Sequence, residues 1–339
     1  MPALSSPHAA ALRLASTWMS ERYYRTFRPI EGDPGAFDAL LQQRALRVGV
    51  TIGSLWEQDE VADSVAPDAD DLAALLTADM RAEGSSIESG AYVVWVPPKA
   101  ALPTTEPQIS LLRVALARGL GGLPAGEQRE VRLPLTLVLA KLSDEGAYVS
   151  VTGGLAPEWT TMSEGVAGSF HLDSRGLHRL PTERAEIDII VTRVRDRAAL
   201  LEAGEVTDVQ VHDTWTVSRL PDIGAAGSEA TGVTVIAPPP TVDPLDGTIV
   251  RRMLRRHVQR AVAQRSAATE AAQAAGRPVD FAALILLGAL AHLNDELATA
   301  ALRGMNPALY GALDLIAIVA DGGVRQVLQP RSLPWEAAR

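Results

Sequence analysis

The chain of 339 residues contains no cysteine. That excludes disulfide frameworks, thiolate zinc sites, cysteine-held iron–sulfur clusters and cysteine nucleophiles. It suits a reducing compartment, so a cytoplasmic location is the expectation. Lysine is nearly missing as well. Lys99 and Lys141 are the two copies, and the other 29 of the 31 basic residues are arginine. A GC-rich coding sequence, which favours arginine and alanine, accounts for the bias. Lysine chemistry is therefore confined to two places. Lys99 follows Pro97-Pro98, and Lys141 ends a strand-like run. Neither follows the glycine-rich loop of a P-loop nucleotidase or sits in a kinase-like Val-Ala-Ile-Lys strand, which excludes nucleotide hydrolysis of the usual kinds.

Long apolar runs are also lacking. The longest, Phe281–Leu293, falls well short of the roughly 20 residues a membrane span needs, and it predicts a buried core helix with no membrane partner. The first residues lack a basic stretch leading into an apolar core, so no secretory signal is expected. The HExxH and GxSxG patterns are absent. The glycines of Arg118–Pro124 half match a dinucleotide loop. They follow a helix rather than a strand, and Pro124 takes the place of the last glycine, so a helix stop is the reading. Val151-Thr152-Gly153-Gly154 follows a strand, but no helix pattern opens after it to cradle a phosphate. Nothing here calls for a cofactor, and the chain reads as non-enzymatic.

What is present is an ordinary globular balance, 47% hydrophobic and 21% charged, with a net charge of −10. That charge opposes whole-surface binding to nucleic acid or anionic lipid, but not a local basic site. One such site stands out. Between Ile249 and Arg265 the chain places Arg251, Arg252, Arg255, Arg256, Arg260 and Arg265 and no acid. Val250, Met253, Leu254, Val258, Ala261 and Val262 recur there at three- and four-residue steps, so an amphipathic helix with a cationic side is predicted from about Asp246 to Ala275. Its arginines have three possible destinations. The acidic stretch Glu57–Glu83 offers an internal partner, with Asp59, Glu60, Asp63, Asp68, Asp70 and Asp71. An acidic protein or a second copy of the chain is the next. Nucleic acid is the third, through the same forked contacts to phosphates.

Periodicity predicts helices over Ala9–Phe27, Gly35–Gln43 and Gln108–Gly119, one beginning at Asp70-Asp71, and strands over Arg47–Leu55 and Ala91–Val96. From residue 129 the period changes to two. Strands are expected over Val131–Leu139, Tyr148–Thr152, Phe170–Asp173, Leu177–Leu180, Ile187–Val194, Val206–Leu220 and Val233–Ala237. The proline run Pro238–Pro240 reads as a boundary. Beyond it, Phe281–Leu302 and Pro307–Ala320 read as two further helices.

The expected fold is α+β: a mixed N-terminal region, a mainly antiparallel β middle and an all-helical C-terminal subdomain. In numbers, residues 1–237 form an α+β domain (mixed over 1–125, antiparallel sheet over 126–237), 242–330 the helical subdomain and 331–339 an extended tail. The expected function is a structural or interaction subunit of a larger bacterial assembly. Its contact surfaces would be the arginine helix and the aromatic terminal segments, Trp18, Tyr23, Tyr24 and Phe27 at one end and Trp335 at the other. A nucleic-acid-binding component is one alternative. A metal-dependent hydrolase is the other, with His171, Asp173, His178 and Asp213 as nitrogen and oxygen ligands. Strict alternation also places Asp213 among Val209, Val211, Trp215 and Val217, where a carboxylate is costly unless it is paired or a bulge turns it away.

Overall fold

A computed structural model describes residues 6–30, 33–56, 67–97, 100, 102–153, 155–177, 184–221, 231–238, 247–275, 279–288 and 295–330. Among these residues the chain forms seven α-helices and twelve strands in two six-stranded sheets. The first sheet runs in the order β1 (Arg28–Pro29), β2 (Ala39–Gln43), β3 (Leu46–Ser54), β10 (Phe281–Gly288), β11 (Leu315–Ala320), β12 (Gly323–Leu328). Its centre is parallel, β3 with β10 and β10 with β11, and antiparallel hairpins close both ends.

The C-terminal region is therefore not all-helical, which corrects the expectation from sequence. The run FAALILLG is the central strand β10, with Phe281 to Leu287 at most 1% exposed. A strand covered on both faces is apolar at every position, so its pattern cannot be told from that of a buried helix. Phe281, Ala283, Ile285 and Leu287 face helix α1 (Ser6–Tyr23). Ala282, Leu284 and Leu286 face α6 (Gly247–Ala275) and α7 (Asp295–Arg303). The same two-sided burial hid β11. Leu315, Ala317 and Val319 go one way, and Ile316, Ile318 and Ala320 the other. Asp321-Gly322 turns β11 into β12 and stops no helix.

Gly35–Gln43 is not a helix either, despite its alanine and leucines; it ends in β2. Pairing with β3 overrides local preference there, and Arg44 at φ 53 makes the tight turn between them.

The second sheet runs in the order β6 (Ala147–Gly153), β7 (Gly168–Ser174), β5 (Gln128–Ser143), β8 (Val206–Arg219), β4 (Ala91–Trp95), β9 (Gly232–Ile236). It is mixed: β5, β7, β8 and β4 pair antiparallel, while β6 and β9 join in parallel at the two ends. Ile187–Val194 lies in helix α5 (Arg184–Ala198), where Ile187, Ile190, Val191, Val194 and Ala198 are buried at helical spacing. Its β-branched residues imitate a strand, and the three- and four-residue steps decide otherwise.

One face of this sheet carries α2, α3, α4 and α5. α2 (Pro67–Arg81) and α3 (Gln108–Leu120) cover the β4–β9 half, and α4 (Trp159–Ser163) and α5 the β6–β7 half. On the other face Ala91, Val93, Trp95 and Ile236 join the core shared with α1 and the first sheet.

Asp314 ties this architecture together at one point. It is 5% exposed, and its Oδ2 accepts from the Ala282 amide at 2.8 Å and from Arg265 at 3.2 Å, linking β10, the approach to β11 and α6. Asp314→Ala leaves the Arg265 charge largely buried without this partner and is expected to cost about 3 kcal/mol in urea denaturation. Asp188→Ala, at an exposed pair with Arg184, is expected to cost under about 0.5 kcal/mol in the same measurement.

Candidate functional site

Helix α6 presents three faces. Val250, Leu254, Val258 and Ala261 are fully buried against the first sheet. A second stripe, His257, Arg260 and Gln264, lies along β3. The third is cationic. Arg251, Arg252 and Arg255 are exposed and make no ion pair with a described residue, and Arg256 is half-buried beside them. No acid occupies the first turn of the helix. These cations therefore sit near the positive end of the helix dipole, where they add to the local potential instead of opposing it.

The remaining arginines of the helix are spent internally. Arg260 pairs with Asp38 at 2.8 Å and Arg265 with Asp314 at 3.2 Å. The acidic stretch is not their described partner. Asp68, Asp70 and Asp71 are exposed on α2, which packs on β9 and α3, and Asp79 pairs with Arg113 of α3. Asp59, Glu60 and Asp63 lie outside the described residues.

The middle stripe of α6 builds a polar seam that sequence reasoning missed. On its α6 side β3 offers Gly49, Thr51 and Gly53, and each makes room for something. The Phe37 ring lies over Gly49 and the His257 ring over Gly53; a Cβ at either glycine would come within 2.3 Å of the ring. Thr51 donates to Gln264. Asp38 Oδ1 accepts from Arg260 at 2.8 Å and Gln264 at 3.3 Å, and its Oδ2 accepts from the Ile52 amide at 2.8 Å. At the carboxyl end of β3, His8 of α1 meets the Ser54 hydroxyl at 3.1 Å, and His257 hydrogen-bonds the Ser54 backbone. The alternation Gly49-Val50-Thr51-Ile52-Gly53 was the available signal: small residues on one face of a buried strand imply something large against them.

His257 is 2% exposed, and its Nε2 has no hydrogen-bond partner. Burial, with Arg256 and Arg260 adding to it, pushes its pKa down to about 4. The ring is therefore neutral in the folded protein at pH 7.

The histidines and aspartates of the second sheet do not converge. His171 and Asp173 stand two residues apart on β7, on the face opposite α4 and α5. His171 bonds Ser150 at 2.9 Å. Asp173 is held by Arg175, which keeps its carboxyl down at about 2. Asp213 is on the opposite face. Its register partner is Leu133 while that of Asp173 is Val138, five positions and about 17 Å along β5. His178 lies outside the described residues. Among the described residues no three histidines or carboxylates are grouped to hold a metal ion.

Asp213 is buried without a bulge, because the β5–β8 register runs unbroken past it. Its Oδ1 accepts from the Thr214 amide at 3.0 Å and its Oδ2 from the Trp215 indole at 2.9 Å. It lines an apolar cleft beside α3.

The aromatic N-terminal segment turns mainly inward. Phe27 is buried, and Trp18 and Tyr23 pack edge-on at 6.0 Å against the same core, which leaves Tyr24 exposed. Trp335 and the tail after residue 330 lie outside the described residues. Among those residues no helix is long and apolar enough to cross a membrane. The chain matches no known protein-family model, no curated protein and no solved structure.

The neutral state of His257 has a measurable consequence. In the unfolded chain the imidazole takes up a proton near its ordinary value of 6.5, whereas in the fold it does so only near 4. The unfolded state thus binds the extra proton between those values, and stability falls as pH drops from about 6.5 to about 4. His257→Leu should remove this part of the acid dependence, about 2 kcal/mol between pH 7 and pH 4.5, in urea titrations of parent and variant at those two pH values.

Proposed function

We propose that the protein is a cytoplasmic, non-enzymatic binding component of a larger assembly, with the exposed arginines of α6 as its contact surface. The observation that carries this reading is the split within one helix. Arg260 and Arg265 are tied to Asp38 and Asp314, while Arg251, Arg252 and Arg255 project outward without a described counter-charge. Like charges crowded at a helix N-terminus raise the free energy of the isolated protein, and an anionic partner relieves it.

The partner best suited is an acidic protein surface. Arginine forks bind carboxylates bidentately. The net charge of −10 works against the long approach to a polyphosphate and much less against a short, local contact. The lack of cysteine suits the cytoplasm.

The test uses two probes at about 100 mM salt, a fluorescent polyglutamate peptide and a 20-base-pair duplex DNA. The parent should bind polyglutamate, and Arg251→Glu with Arg252→Glu and Arg255→Glu should weaken that binding at least tenfold while leaving the thermal midpoint in place. Equal binding by parent and triple variant would sink the reading. Tighter binding to the duplex, falling steeply with salt, would replace it with the nucleic-acid reading.

A further inference from the structure

Each sheet has two end strands, and a bare end offers unpaired amides and carbonyls to another strand. Three of the four ends are guarded. β1 is two residues long, and one of them is Pro29. β12 carries Arg325, its register with β11 is irregular, and its Val327 carbonyl accepts from Thr299 of α7 at 3.3 Å. β9 packs against α2, where Thr77 Oγ1 accepts from the Val233 amide at 2.9 Å.

β6 has none of these guards. Its residues Ala147, Tyr148, Val149, Ser150, Val151, Thr152 and Gly153 include no charge and no proline, and its register with β7 is unbroken. Among the described residues β7 is its sole strand neighbour. Just before β6, the Gly146 carbonyl turns to β7 and accepts from the Gly168 amide at 2.8 Å. Successive residues of a strand bond to opposite sides. Tyr148, Ser150 and Thr152 therefore direct their backbone groups to β7, while Ala147, Val149, Val151 and Gly153 direct theirs away from the sheet.

This edge is self-complementary. Two copies set antiparallel about Ser150 bring Ala147 opposite Gly153 and Val149 opposite Val151, all of them positions whose backbone groups point outward. The faces match as well. Val149 and Val151 lie on the side covered by α4 and α5, so valine meets valine there, and Tyr148 meets Thr152 on the other side. Charge selects the same arrangement. Asp144 and Glu145 stand exposed just before β6. Antiparallel pairing sends these acids of the two copies to opposite ends, whereas parallel pairing would set them side by side.

We propose that β6 is a dimer edge, where two copies of the chain pair antiparallel about a twofold axis at Ser150 and their second sheets become one of twelve strands. The contact is isologous and closes on itself. A single strand pairing lies at the low end of interface sizes, so the dimer is reversible. It is separate from the arginine face of α6, and neither depends on the other.

The experiment is sedimentation velocity of the full-length protein from about 2 to about 200 micromolar. The parent should pass from 36.0 kDa toward twice that mass. Tyr148→Lys with Thr152→Lys sets like charges directly opposite at two places and should weaken the dimer at least tenfold. Tyr148→Glu with Thr152→Lys sets opposite charges at the same two places and should restore it. Thr152→Lys is common to both variants, so any cost to folding cancels between them. The triple change of Arg251, Arg252 and Arg255 to glutamate should dimerise like the parent. Amide exchange over residues 147–153 should slow as concentration rises. A parent that stays monomeric, a lysine–lysine variant that dimerises like the parent, or a glutamate–lysine variant as weak as the lysine–lysine one would each overturn the proposal. So would slow exchange at the lowest concentration, which would mean that the chain covers its own edge.

Discussion

The parallel pairing of β3 with β10 is the constraint on which the rest of the molecule depends. Val48 pairs with Phe281, so the chain closes this contact across more than two hundred residues, and Asp280 clamps it by accepting from the Arg47 amide at 2.9 Å. Closing so long a loop costs entropy before any contact repays it. The return is burial. Phe281, Leu284, Ile285, Leu286 and Leu287 each contribute about 2 kcal/mol on full desolvation. That gain exists only if both faces of β10 are covered. α1 must pack on one side and α6 with α7 on the other.

The placement of the arginines follows from that covering. Helix α6 has to turn Val250, Leu254, Val258 and Ala261 toward the sheet. At 100° per residue this directs Arg252 furthest from it, with Arg251 and Arg255 on one flank of the buried stripe. Arg260 and Arg265, further along the helix, have no such freedom. They fall beside β3 or the start of β11, where a charge must be matched, and Asp38 and Asp314 match them. One helix thus contains both spent and available cations, and the difference is which described acids lie opposite each position, not residue type.

Several helices and strands were legible in the sequence. Gln108–Leu120, Gln128–Ser143, Val206–Arg219 and the arginine helix all lie close to where periodicity put them. β10 and β11 were read as helices because burial on both faces leaves a long apolar run without a period-two signal, and β2 because its alanine and leucines favour a helix. The seam of Asp38, Thr51, Gln264 and His257 was hidden for a different reason. Its members are scattered from residue 38 to 264 and converge only when β3 and α6 meet. His257 looked like one more polar residue on a cationic helix. Only the empty face of Gly53 marks it as an inward group.

Asp213 shows where local reading went furthest. Alternation alone placed a carboxylate on an apolar row and required a bulge or a partner. The unbroken register removes the bulge, and Thr214 and Trp215 are among the partners. Hydrogen bonding removes much of the cost of burial, but an apolar side chain of similar size would incur none. The rest of the inward row of β8, Val209, Val211, Trp215 and Val217, follows that cheaper rule. The exception falls where the two pairs of helices part and the sheet floor is open to a cleft.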